Sequence, residues 1–124
     1  MSEILNIDEK ITSIDATIEL QNWYIQRAEA LERLKQNEDF QLVITEGLID
    51  VEADRVYTLL LSPRTTKLED KESYLHQLET IKDLLRYIGT DSYKGTVAIL
   101  GQNAKGIIDE EMRLKQQILE GRGE

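Results

Sequence analysis

Isoleucine recurs at Ile4, Ile7, Ile11, Ile14 and Ile18, and the stripe continues with Ile25 and Ala28 beyond a polar break at Gln21. In an α-helix this alternation of three and four residues keeps every member on one narrow seam. A strand, with period two, would scatter them over both faces. The seam predicts a long helix wound against another, and isoleucine at both core positions favours higher-order association in parallel coiled coils. Two partners are open to it: another helix of this chain, or a helix of another chain. A second stripe, Leu20, Trp23, Tyr24, Leu31 and Leu34, widens the apolar face later on, so one helix is expected from about Asp8 to Gln36.

The remaining chain also reads as helical. Asn37 ends the first helix, Asp39 is placed to cap a short one over Phe40 to Glu46 with Phe40, Val43 and Ile44 inward, and Gly47 is expected to stop it. Asp50 is the next N-cap candidate, for a helix through Val51, Val56, Leu59 and Leu60 that ends near Ser62-Pro63. From Lys67 to Ile88 the residues Leu68, Tyr74, Leu75, Leu78, Ile81, Leu84, Leu85 and Ile88 share a broad face. Thr96 to Leu119 continues with Val97, Leu100, Ala104, Ile107, Ile108, Leu114 and Ile118. Gly89 to Gly95 is open to two readings, a loop or a weakened stretch of one very long helix. Inside a helix each glycine costs about 1 kcal/mol relative to alanine, unless the missing side chain lets two backbones approach.

The expected fold is therefore all-α: one helical domain over residues 1–124, with a long N-terminal helix, two short middle helices and one or two long C-terminal helices in an elongated bundle. Residues 1–27 are a candidate coiled-coil or partner-binding extension, and residues 120–124 a flexible tail. Strand signals are confined to Gln41–Thr45 and Gly95–Leu100, both inside helical context.

Charge narrows the possible partners. The 124 residues carry 24 Asp plus Glu against 15 Lys plus Arg, a net charge of -9, with 40% hydrophobic residues. This balance is too apolar for a disordered chain and too polar for a membrane-embedded one. A chain of this length can bury roughly two-thirds of its unfolded surface, so partners are expected to complete the burial. The acidic surface should repel phosphate backbones and anionic lipid, so neither nucleic acid nor membrane is expected as a partner. With no cysteine, disulfides and thiolate chemistry are excluded, which fits a reducing compartment or indifference to redox. From Glu38 to Asp54 six acids, Glu38, Asp39, Glu46, Asp50, Glu52 and Asp54, meet no base until Arg55. Such a stretch is either a solvated face or a docking surface for a basic partner.

Motifs for catalysis are missing. Gly101-Gln102-Asn103-Ala104-Lys105-Gly106 lacks the Gly-Lys-Ser/Thr ending of a phosphate-binding loop. Asp50-x-Glu52-x-Asp54 opens like a calcium loop, but Arg55 stands where glycine is required and Leu61 where a bidentate glutamate belongs. His76 and Glu79 have the spacing of a helical metal pair, and a di-iron bundle needs two such pairs. No enzyme, metal or cofactor is therefore expected. The residues singled out are candidate partner contacts: Ile4, Ile7, Ile11, Ile14 and Ile18 on the seam, Trp23 and Tyr24 as core or anchor aromatics, and Asp50, Glu52 and Asp54 in the acidic middle.

The run Ala28-Glu29-Ala30-Leu31-Glu32-Arg33-Leu34-Lys35-Gln36-Asn37-Glu38-Asp39-Phe40, then Val43-Ile44, Glu46-Gly47 and Glu52-Ala53-Asp54-Arg55, resembles a small helical family encoded among tailed-bacteriophage structural genes. Leu85-Arg86-Tyr87-Ile88-Gly89-Thr90 is also similar, and the resemblance spans residues 28–104. It implies a virion protein assembled in the host cytoplasm, present in multiple copies or as a homo-oligomer, with capsid, portal or tail subunits as partners and no catalytic residues. The alternative from charge alone is an acidic inhibitor or adaptor that covers the basic surface of a nucleic-acid enzyme.

Overall fold

The computed structural model describes the backbone of residues 2–123 and the side chains of residues 6–121. Among these the chain is all-α with no strand. Its elements are α1 (Ser2–Lys35), α2 (Glu38–Phe40), a π-helical segment (Gln41–Glu52), α3 (Ala53–Leu61), α4 (Leu68–Ile88) and α5 (Thr96–Gly123). α1 starts earlier than Asp8, and α5 carries residues 120–123, expected as a tail, as helix. The chain divides into two compact units, Met1–Glu29 with Val97–Glu124, and Ala30–Thr96.

In the first unit α1 and α5 run antiparallel. A Cβ on Gly101 would lie 2.5 Å from Ala28 Cβ and 3.2 Å from Tyr24 O, and toward the start of α1 the Lys115 ammonium donates to Asp15 Oδ1 at 2.7 Å. With Gly101 opposite Ala28, the seam residues Ile25, Gln21, Ile18, Ile14 and Ile11 fall opposite Ala104, Ile108, Glu111, Lys115 and Ile118. Every one of these residues is buried or half-buried. α5 thus carries its own heptad seam, hidden from a reading of apolar spacing because Gly101, Glu111 and Lys115 occupy three of its positions. Ile107, expected inward, is exposed. Gln21, the polar break, is only 8% exposed. A polar residue in such a seam disfavours slipped registers at some cost in stability.

In the second unit Asn37, not Asp39, caps α2, its Oδ1 accepting from Phe40 N at 3.0 Å. The expected pair of short middle helices separated by a glycine turn is instead one continuous helical run, and Asp50 lies inside it rather than at an N-cap. Gly47, expected to stop a helix, lies inside the widened segment. In a π-helix the carbonyl five residues back is the acceptor, and a Cβ on Gly47 would lie 2.7 Å from Leu42 O. The wider turn also changes which side chains face inward. Phe40, Ile44, Leu48, Ile49 and Ala53 are half-buried, while Val43, expected inward, is exposed.

α3 ends as expected before Pro63, and its turn into α4 is tied down. Thr65 Oγ1 donates to Leu59 O at 2.7 Å, and Thr65 N donates to Ser62 O at 3.0 Å. α3 and α4 form a helical hairpin in which Val56, Ile81 and Ile88 are buried and Leu59, Leu60, Leu84 and Leu85 half-buried. Gly89 to Gly95 is a loop. Gly89 takes φ 70°, Thr90 N donates to Tyr93 O at 2.7 Å, and the backbones of Gly89 and Gly95 touch so closely that neither has room for a Cβ.

The two α5 glycines should respond oppositely to alanine. Gly106 has nothing within 4 Å of an added Cβ, so Gly106→Ala should stabilise by up to about 1 kcal/mol through helix propensity. Gly101→Ala should lose about 1–3 kcal/mol to overpacking against Ala28, and Ala28→Gly in the same chain should restore part of that loss. Denaturant unfolding of the three variants checks the sign of each change.

Candidate functional site

Packing α3 on α4 through Val56 and Ile81 leaves a second stripe on each helix facing outward. On α3 the stripe is Asp54, Tyr57 and Leu61; on α4 it is Leu68, Lys71, Leu75 and Leu78. Leu61 and Leu68, beside the connecting turn, are 64% and 69% exposed, and Tyr57 and Leu75 are also exposed. At the far end of the hairpin a shallow depression of about 720 Å³ is lined by Ile49, Val51, Ala53, Tyr57 and Leu78, with Asp50 and Asp54 among them.

The three acids singled out in the sequence do not act alike. Glu52 accepts from Arg55, one turn later, at both Nε and Nη2. This hydrogen bond, more than the attraction of the two charges, holds the Glu52 carboxyl below the usual glutamate range. Asp50 and Asp54 enter no ion pair among the described residues. Asp50 and Asp54 are therefore brought together at one apolar depression, and Glu52 is engaged within its own helix.

Asp50 also borders a half-open cavity of about 520 Å³, where the π segment meets the Gly89–Gly95 loop. Phe40, Ile49 and Ile88 supply its apolar lining, and Lys35, Thr45, Glu46, Thr90, Asp91 and Ser92 its polar groups. Three of the polar groups are already employed: Thr90 Oγ1 accepts from Tyr93 N at 3.0 Å, Thr90 Oγ1 and Ser92 Oγ share a hydrogen bond at 3.4 Å, and Gln41 Nε2 at the rim donates to Lys35 O at 2.8 Å. The lining thus mixes carboxylates and hydroxyls with the cationic residue Lys35. His76 is exposed on α4, away from this lining.

In the first unit Trp23 is half exposed and lies 5.8 Å from Tyr24 between ring centroids. The Arg27 guanidinium sits over both rings, at 4.9 and 5.2 Å. Trp23 is therefore a surface aromatic braced by a cation–π contact rather than a core residue. Among the seam residues Ile14 is buried, and Ile7, Ile11 and Ile18 are half-buried. The Ile4 side chain lies outside those described. Among the described residues no cluster of His, Asp or Glu could hold a metal ion, and no helix is long and apolar enough to cross a membrane.

Replacing Arg55 by alanine should raise the Glu52 pKa toward the ordinary glutamate value, as read from the side-chain carboxyl carbon in an NMR titration. A carboxyl whose pKa is depressed on folding stabilises above its unfolded pKa, and that contribution is lost as pH falls through the folded value. The pair is solvent-exposed, so the effect on global stability should be small. Comparison of the chain with family models, with curated proteins and with solved structures finds no match in any of the three.

Proposed function

We propose that this chain is a non-enzymatic joining protein that ties larger subunits together through helical surfaces. The resemblance of residues 28–104 suggests that those subunits are the capsid, portal or tail proteins of a tailed-phage particle. One feature carries the reading: among the described residues sixteen large apolar side chains are exposed, while six apolar residues are fully buried and the remaining large apolar side chains only half-buried. Full burial of one leucine contributes about 1.5–3 kcal/mol, so much of the favourable burial open to this sequence is unused by the isolated chain. Both units carry such residues, Leu20, Trp23 and Met112 in the first and Leu42, Val43 and Val51 in the second. Each unit thus offers apolar surface of its own to a neighbour.

Acids beside that surface add orientation. Asp50 and Asp54, without cations of their own, favour a partner that brings lysine or arginine to the rim of the depression. Complementary charge at a rim mainly raises the association rate and selects the register. The same two acids favour the second reading, an acidic adaptor over the basic surface of a nucleic-acid enzyme.

Mass spectrometry of purified particles separates the two readings. Stoichiometric recovery with capsid, portal or tail proteins is expected, and absence from finished particles overturns the joining role. Trp23 is the only tryptophan, so its fluorescence reports on the first unit. Docking there should shift its emission to the blue and protect it from soluble quenchers, whereas unchanged emission on binding assigns the contact to other residues.

A further inference from the structure

We propose that the outward α3–α4 face binds a second copy of this chain, with the two faces related by a two-fold axis and running antiparallel. The charges along the face suggest this occupant. At one end Asp50 and Asp54 flank Val51 and Tyr57. At the other the connecting turn carries Arg64 and Lys67, both exposed, with Lys71 next along the α4 stripe. Glu69 and Asp70 fall on other sides of that helix, Glu72 borders the stripe beside Leu68 and Leu75, and exposed Lys82 continues the stripe toward the acidic end. Arg64 and Lys67 form no ion pair among the described residues, and neither do the two aspartates. A face with an excess of acids at one end, an excess of bases at the other and apolar side chains between complements its own antiparallel image.

Two-fold symmetry then makes both charge contacts at once: Asp50 and Asp54 of each copy meet Arg64 and Lys67 of the other. A parallel arrangement would set like charge on like. The apolar middle, Tyr57, Leu61, Leu68 and Leu75, would be covered from both sides. Counting Val51, the exposed part of these side chains is on the order of 500 Å², and such a patch on a monomer is large enough to mark an interaction surface. With the charged rim it approaches the roughly 800 Å² per partner of a standard interface. The net charge of -9 on each chain opposes the association. The match must therefore come from local pairing and apolar contact.

The proposal does not depend on the phage reading, because its test uses the isolated full-length chain. Sedimentation should find wild type in a concentration-dependent monomer–dimer equilibrium across the micromolar to sub-millimolar range. Asp50→Lys with Asp54→Lys in one variant, and Arg64→Glu with Lys67→Glu in another, should each weaken dimerisation at least tenfold. An equimolar mixture of the two variants should recover a heterodimer, because each reversed end then meets its complement. Circular dichroism checks folding. If either variant loses helix, the neutral pair at the same end, Asp50→Asn with Asp54→Asn or Arg64→Gln with Lys67→Gln, replaces it and must show the same direction of loss. A wild type that stays monomeric throughout, a dimer indifferent to these substitutions, or folded variants whose mixture stays monomeric would each overturn the proposal.

Discussion

The approach of α5 to α1 at Gly101 governs the first unit. A side chain there would collide with Ala28, so the two helices can come this close only where a residue without a Cβ meets a very small one. Once Gly101 stands opposite Ala28, the antiparallel register follows from the two heptads. Ala104 is then fully buried opposite Ile25, Gln21 faces Ile108, and Lys115 comes within reach of Asp15. The ion pair is partly exposed and contributes little by itself. It marks the register that the small residues select. Nonspecific burial would tolerate a slip by one heptad; a glycine matched to one alanine, with a buried glutamine nearby, does not.

The second unit uses its glycines differently. Gly47 lets a helix widen instead of ending it, and Gly89 and Gly95 close a loop by bringing two stretches of backbone together. The widened segment has consequences beyond itself. Because its inward positions run Phe40, Ile44, Leu48 or Ile49 and Ala53, the side chains Leu42, Val43 and Val51 turn to solvent. The same offset separates Glu52, which reaches Arg55, from Asp50 and Asp54, which border the depression. An acidic run that is uniform in sequence thus becomes one intrahelical pair and two aspartates available to a partner.

The joining role proposed above requires apolar surface that stays uncovered without collapse of the chain upon it. Here rigid local devices keep the exposed residues in place: the Thr65 bond to Leu59 O fixes the turn beside Leu61 and Leu68, and Arg27 braces Trp23 from one side. Exposed leucines on an ordered hairpin lose little conformational freedom when a neighbour covers them, which lowers the cost of association. The cavity by Gly89 and the depression by Tyr57 share Asp50, so one carboxylate borders two concavities of the same unit.

Helical class, the two long terminal helices, the span of α4 and the stop before Pro63 were legible in the sequence, because each rests on local signals: a 3-4 apolar period, a proline, a run of good helix formers. The α1 seam was legible for the same reason. Its counterpart was not, since Gly101, Glu111 and Lys115 break the apolar pattern of α5 and gain meaning only opposite Ala28, Ile18 and Ile14. Glycine was the least legible residue: Gly47, Gly89, Gly101 and Gly106 look alike in sequence, yet they serve as a wide turn, a left-handed loop closure, a close helix contact and an open dent. Sequence could name Asp50, Glu52 and Asp54 as a group, but which carboxylate is paired depends on where each helical turn points its side chain. The chain by itself determined where helices form. Their facing, their register and the identity of the uncovered residues depend on contacts between segments far apart in sequence, and only the tertiary structure decided those.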